Sequence, residues 1–343
     1  LSSAEETIAI TIDAVNDLPD LVTNSALSLK ELAEATITVD HLLYEDIESS
    51  VEYTVVSKPT YGELKLDGTI LNNGDTFSAA DIANNILTYK NIVPNEYLDS
   101  FTFTASDGTD TLDQATFSIN VAAINHAPLI YSSTEGAGDE DAPLSFTPSI
   151  SLADLNNTSG DDPVTLSLSA AEGVTLTFTE TSGLTFSDAA GDNSVVLEGT
   201  LTDINAALET LSYTPTKDFV GTQTLDITVN DKGYVLGVSS ADPIEVSKAI
   251  SLTFANTNDA PHLIGTITSA TTLEDANAET FDLATIFDDI DIAYGDSLTY
   301  LVTGNTNSDL VATDITDGEL TLSFLSNING ASTITVQASD GEE

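Results

Sequence analysis

Apolar and polar residues alternate with a period of two along most of the chain. Ile8, Ile10 and Ile12 form one such stretch, Phe117, Ile119 and Val121 a second, and Ile250, Leu252 and Phe254 a third. Successive side chains of a strand point to opposite faces, so each trio lies on one face of a sheet. Each trio is followed by similar punctuation: Asp13-Ala14-Val15-Asn16-Asp17-Leu18-Pro19, Ala123-Ile124-Asn125-His126-Ala127-Pro128, and Asn256-Thr257-Asn258-Asp259-Ala260-Pro261. A second series of strands ends in acidic turns. Phe101, Phe103 and Ala105 precede Asp107-Gly108; Leu225, Ile227 and Val229 precede Asp231-Lys232-Gly233; Ile334, Val336 and Ala338 precede Asp340-Gly341. An acidic loop precedes a tyrosine-bearing strand twice, Glu45-Asp46-Ile47-Glu48 before Tyr53 and Asp288-Asp289-Ile290-Asp291 before Tyr300.

These marks divide the chain into a strand at 1–15 and units at 16–124, 125–257 and 258–343. Repeats of about 100 residues, with short strands and frequent turn signals, predict an all-β protein of tandem β-sandwiches arranged as an elongated rod. Asp67-Gly68 between two alternating segments predicts a hairpin. Short helical turns are expected at 78–84 and 203–208. The strand at 1–15 has no sheet of its own, and the last unit lacks its final strand. Two readings follow: the array continues beyond these residues, or residues 7–12 are donated to a neighbouring copy, building a head-to-tail filament.

The charge balance narrows the partners. There are 56 acidic against 7 basic residues, a formal charge of −49. A fold this acidic repels itself unless cations bind or screen it. Nucleic acid is excluded, because no basic patch can release its counterions. Cysteine is absent, which removes disulfides and thiolate zinc sites. No apolar run is long enough to insert into a membrane. The first residues, Leu1-Ser2-Ser3-Ala4-Glu5-Glu6, do not read as an export signal.

The unit at 16–124 resembles a chondroitin-sulfate-proteoglycan-type repeat. The resemblance rests on Pro59-Thr60-Tyr61-Gly62-Glu63-Leu64, Gly74-Asp75-Thr76-Phe77, Leu87-Thr88-Tyr89 and Asp99-Ser100-Phe101-Thr102-Phe103, with Tyr61 where a histidine is expected. The unit at 125–257 is similar to the long repeats of large bacterial (RTX-type) surface adhesins. It carries Leu201-Thr202-Asp203-Ile204-Asn205-Ala206-Ala207-Leu208, then Tyr213, Pro215, Phe219 and Gly221. The resemblance implies immunoglobulin-like or cadherin-like sandwiches, a secreted or cell-surface location, and a calcium-stiffened extender or adhesion region.

Calcium is a hard cation that takes six to eight oxygen ligands. Asp13, Asn16 and Asp17 offer three side-chain oxygens on one turn, and the arrangement resembles a cadherin linker. Asp46, Glu48 and Asp107 are expected at the same end of the first sandwich, with Glu31 completing the site. The second linker departs from this pattern, with Ala122 in place of Asp13 and His126 in place of Asp17. Asp139, Glu140, Asp141 and Asp231 are its candidate ligands. The third has Asn258 and Asp259, to be served by Glu274, Asp275, Asp289, Asp291 and Asp340. Solvated turn residues are the competing reading of any single acid among so many.

No Gly-x-Ser-x-Gly, phosphate loop or His-Glu-x-x-His occurs, so the chain does not read as an enzyme. The functions that remain are a calcium-stiffened extender, a filament subunit, or a module for carbohydrate or another cell-surface ligand. Tyr131, Tyr234 and Tyr294 are the aromatics in polar loops that a glycan could contact.

Overall fold

A computed structural model describes residues 5–13, 15–147, 149–188, 191–239, 241–268 and 271–342. The fold is all-β, in tandem sandwiches. The first sandwich has a five-stranded sheet in the order Leu27–Lys30, Ala115–Ala122, Leu98–Ser106, Glu52–Ser57, Thr76–Ser78. A four-stranded sheet packs against it, in the order Glu34–Thr36, Leu87–Asn91, Gly62–Leu66, Thr69–Ile70. Leu27–Lys30, the first strand of the larger sheet, runs parallel to the last strand of the sandwich, with Leu27 opposite Ile119 and Leu29 opposite Val121. That pairing brings the end of the first strand to the point where the chain leaves the sandwich.

Alternation explains the core. Phe101, Phe103, Phe117 and Ile119 are inaccessible to solvent. Tyr53 stacks on Phe77 with ring centroids 4.9 Å apart. The buried Tyr53 hydroxyl accepts the Tyr44 N–H at 2.8 Å, so the one polar atom of this ring is satisfied. Asp67 and Gly68 both have positive φ (46° and 78°), as a two-residue hairpin of the expected twist requires. Ser78 caps the short helix Ala79–Ala83 in a capping box with Asp81. Thr200 caps Leu201–Leu208, whose Leu201, Ile204 and Leu208 form the buried stripe.

The second sandwich repeats the plan. Its six-stranded sheet runs Glu135–Asp139, Glu245–Ala255, Gly221–Asn230, Pro163–Ser169, Ser194–Thr200, Thr185–Phe186. Its first strand again lies parallel to its last, with Glu135 opposite Ser251 and Asp139 opposite Ala255. Ile250, Leu252 and Phe254 are buried in its core.

The third unit differs. Ile334–Ser339 pairs with Thr299–Asn305 on one edge. The other edge, which carries Ala115–Ala122 or Glu245–Ala255 in the preceding sandwiches, has no partner strand among the described residues. Among the described residues of this unit, only Leu283, Val311 and Leu320 are buried apolar ones. A groove of about 640 Å³ opens between its sheets, lined by Phe281, Leu320, Leu322, Ile334 and Val336. Residues 5–13 join no sheet among the described residues, and Ile8, Ile10 and Ile12 are exposed by 86%, 81% and 89%.

Candidate metal sites at the joints

Among the described residues, the joint between the second and third sandwiches is lined with carboxylates. Glu140, just after the strand Glu135–Asp139, donates its N–H to Ala255 O at 2.9 Å. Its buried side chain accepts the linker Thr257 N–H at 2.9 Å. From the far side, the Asp259 N–H donates to Asp291 Oδ2 at 2.6 Å, and the Asp291 N–H to Asp289 Oδ1 at 2.9 Å. Asn258 Nδ2 donates to Asp340 Oδ2 at 3.0 Å. Two groups of three acids result, each with ligand oxygens within 4.8 Å of one another: Asp141, Asp218 and Asp259, and Asp289, Asp291 and Asp296.

These acids lack enough partners. Asp289 and Asp291 are 3% and 1% exposed. Asp259 Oδ2, Asp289 Oδ2, Asp291 Oδ1 and Asp296 Oδ2 are all buried without a hydrogen bond. Lys217 pairs with Asp218, but its side chain is 74% exposed and it is one cation among many anions. Desolvation pushes the carboxyls of Glu140, Asp259 and Asp296 above their usual range, and neighbouring aspartates add to the shift. Asp340 is held below it, chiefly by the Asn258 hydrogen bond. The buried, orphaned oxygens all come from the linker and third unit, and Asp141 and Asp218 of the second sandwich adjoin Asp259; together they form an acceptor-only donor set that a hard cation such as calcium fits.

At the start of the first sandwich, Asn16 Nδ2 donates to Asp107 Oδ2 at 2.9 Å and to Asp110 Oδ2 at 3.0 Å. Asp46 Oδ1 accepts the Glu48 and Ser49 N–H groups. Backbone N–H groups of Asp110 and Thr109, with Asn16, hold the Asp107 carboxyl low. Asp13 and Asp17 are exposed here.

Several sequence-derived placements need correction. Glu31 is not beside Asp46 and Asp107. It lies at the opposite end of the sandwich, accepting the Asn95 and Ile124 N–H groups and facing His126. Glu140 and Asp141 belong to the joint after the second sandwich, not the one before it. Asp139 lies in the ladder opposite Ala255. In both sandwiches, the parallel pairing of Leu27–Lys30 or Glu135–Asp139 with the last strand carries these residues to the exit end. Asp275 Oδ1 accepts the Asn327 N–H, and Glu274 lines the third unit's groove, so neither joins Asp289 and Asp291. Asp231 does sit at the middle joint, bonded to Asn125 at 2.8 Å. Sequence reading missed Asp218, Asp296, Asp154 and Asn156.

Residues 19–121 match the family described as Cadherin-like. Part of the chain is 32% identical over 115 residues to the extracellular matrix organizing protein FRAS1 of Mus musculus, and equally to that of Homo sapiens. Each match covers 32% of this chain and 3% of the relative, so the chain spans a small fraction of either. Among solved structures, human CDH23 EC21-23 aligns over 95% of this chain and 96% of its own, at 14% identity and a TM-score of 0.46. Protocadherin Gamma B2 extracellular cadherin domains 1-5 aligns over 94% of this chain and 60% of its own, at 13% identity and a TM-score of 0.43. The family match is confined to the first sandwich.

Proposed function

We propose that the chain is a calcium-stiffened, non-enzymatic repeat region of a large extracellular surface or matrix protein, working as a rod-like extender. The observation that carries the reading is the set of buried, unpartnered carboxylate oxygens of Asp259, Asp289, Asp291 and Asp296. Without a cation these groups repel and hold the joint open. A bound calcium neutralises them and ties one sandwich to the next. Two further observations support the reading. The matched relatives are named as extracellular matrix organizing proteins, and the repeat pattern resembles that of bacterial surface adhesins. Small-angle scattering and thermal melting in millimolar calcium against EGTA test it. Chelation is expected to broaden the distribution of lengths and lower the melting temperature; identical profiles refute the reading.

A second reading concerns assembly. The unpaired edge of Ile334–Ser339 and its open groove suit a strand with the pattern of residues 5–13. Ile12 stands four residues before Asn16, as Val121 stands before Asn125 and Phe254 before Asn258. Such a strand, whichever chain supplies it, would complete the third core. Adding a peptide of residues 5–17 to a chain truncated before Asn16 should raise the third unit's melting temperature, and no rise rejects this reading.

A further inference from the structure

The middle joint, between the first two sandwiches, has the same backbone frame as the joint after it but not the same donors. The Glu31 N–H donates to Ala122 O at 2.9 Å, as the Glu140 N–H does to Ala255 O. Leu32 and Asp141 both have positive φ (58° and 59°), as do Asn95 and Asp218 (62° and 56°). The His126 N–H donates to Asn156 Oδ1, as the Asp259 N–H does to Asp291 Oδ2. Equivalent positions follow from these bonds and angles, Asn95 being matched to Asp218 by its positive φ alone, since its N–H goes to Glu31 where that of Asp218 goes to Asp141. Leu32 replaces Asp141, Asn95 replaces Asp218, His126 replaces Asp259 and Asn156 replaces Asp291. Four carboxylates are lost, and both groups of three acids with them.

The substituted residues make their own bridges. Asn95 Nδ2 donates across the joint to Leu155 O at 2.6 Å, and Asn156 Nδ2 donates back to Ile124 O at 2.7 Å. His126 Nε2 lies 3.3 Å from Glu31 Oε2, close enough for an ion pair although not aligned as a hydrogen bond. No carboxylate oxygen of Glu31, Asp154 or Asp231 is among the buried unpartnered atoms; those at this joint are Asn125 Oδ1, a single neutral acceptor, and His126 Nε2. The residues here do not fit calcium.

We infer that the middle joint is a metal-independent coupling, closed by Asn95, Asn156 and the His126–Glu31 pair, in a chain whose next joint is closed by calcium. This inference rests on the calcium reading of the next joint, and the test separates the two. Because the chain has no cysteine, spin labels can be placed at will. Exposed Ser118, Thr224 and Ala312 report on the three sandwiches. Ser118→Cys with Thr224→Cys spans the middle joint, and Thr224→Cys with Ala312→Cys spans the next. Pulsed-dipolar distance distributions are measured in calcium and in EGTA. The expected result is broadening across the second pair only. Broadening across both pairs overturns the inference, while broadening across neither overturns the calcium reading on which it stands. In the first pair's background, adding Leu32→Asp, Asn95→Asp, His126→Asp and Asn156→Asp should make the middle joint chelator-sensitive. A well-folded variant that stays indifferent to EGTA also refutes the assignment.

Discussion

Asp291→Asn separates the two roles that a buried carboxylate can have at the joint. Asp291 is 1% exposed, its Oδ2 accepts the Asp259 N–H, and its Oδ1 has no partner. An asparagine keeps the first interaction, as Asn156 does for the His126 N–H. It removes only the charge. Extracellular calcium modules bind with Kd around 10⁻⁴–10⁻³ M. At about 10 mM calcium, mass action then stabilises the folded state by about 1.4–2.7 kcal/mol per site. For a unit below about 100 residues this is roughly 5–20 °C in melting temperature. The wild-type chain should show that difference between calcium and EGTA by scanning calorimetry. The variant should lose most of it. In EGTA the variant should melt at or above the wild type, because one buried, repelled anion has gone. The reversal of order between the two buffers is the signature. A variant that is less stable by the same amount in both buffers would show that Asp291 serves packing alone, and the cation argument would fail.

Other consequences are as direct. Tyr53→Phe leaves the buried Tyr44 N–H unpaired and should cost about 1–3 kcal/mol by urea denaturation. In the wild type, burial pushes the Tyr53 and Tyr213 hydroxyls up to about 12, so alkaline spectrophotometric titration should leave both silent until the fold opens. Gly62→Ala would place a Cβ 2.3 Å from the Tyr89 ring. The displaced Tyr89 would pull away from Asp99, whose carboxylate also holds the Thr60 and Tyr61 N–H groups, and a loss of about 1–3 kcal/mol is expected in the urea midpoint. Asp154 has its carboxyl pushed up, first by desolvation and then by Asp231. Its folded pKa exceeds the unfolded one, so its favourable contribution is complete below about pH 4 and is lost as pH rises through the folded value. In EGTA, the stability of wild type relative to Asp154→Asn should therefore fall with pH across that window; a flat difference would contradict it.

The sequence alone determined the strands, because alternation with a period of two is a local consequence of pleating. It placed Phe101, Phe103, Phe117 and Ile119 inside before any sheet was seen, and it marked the hairpin at Asp67-Gly68 because few residues accept positive φ at both turn positions. It also pointed to acids at the linkers. It could not assign those acids to particular joints. Glu31 and Glu140 follow the strands Leu27–Lys30 and Glu135–Asp139, and nothing local reveals that each runs parallel to the last strand of its sandwich. That long-range pairing carries them to the exit end, beside the next linker. The same pairing decides which carboxylates are buried together and which are answered by His126, Asn95 or Asn156. Charge counts are written in the chain, but the distances between charges, and so the need for a cation, exist only once distant strands have met.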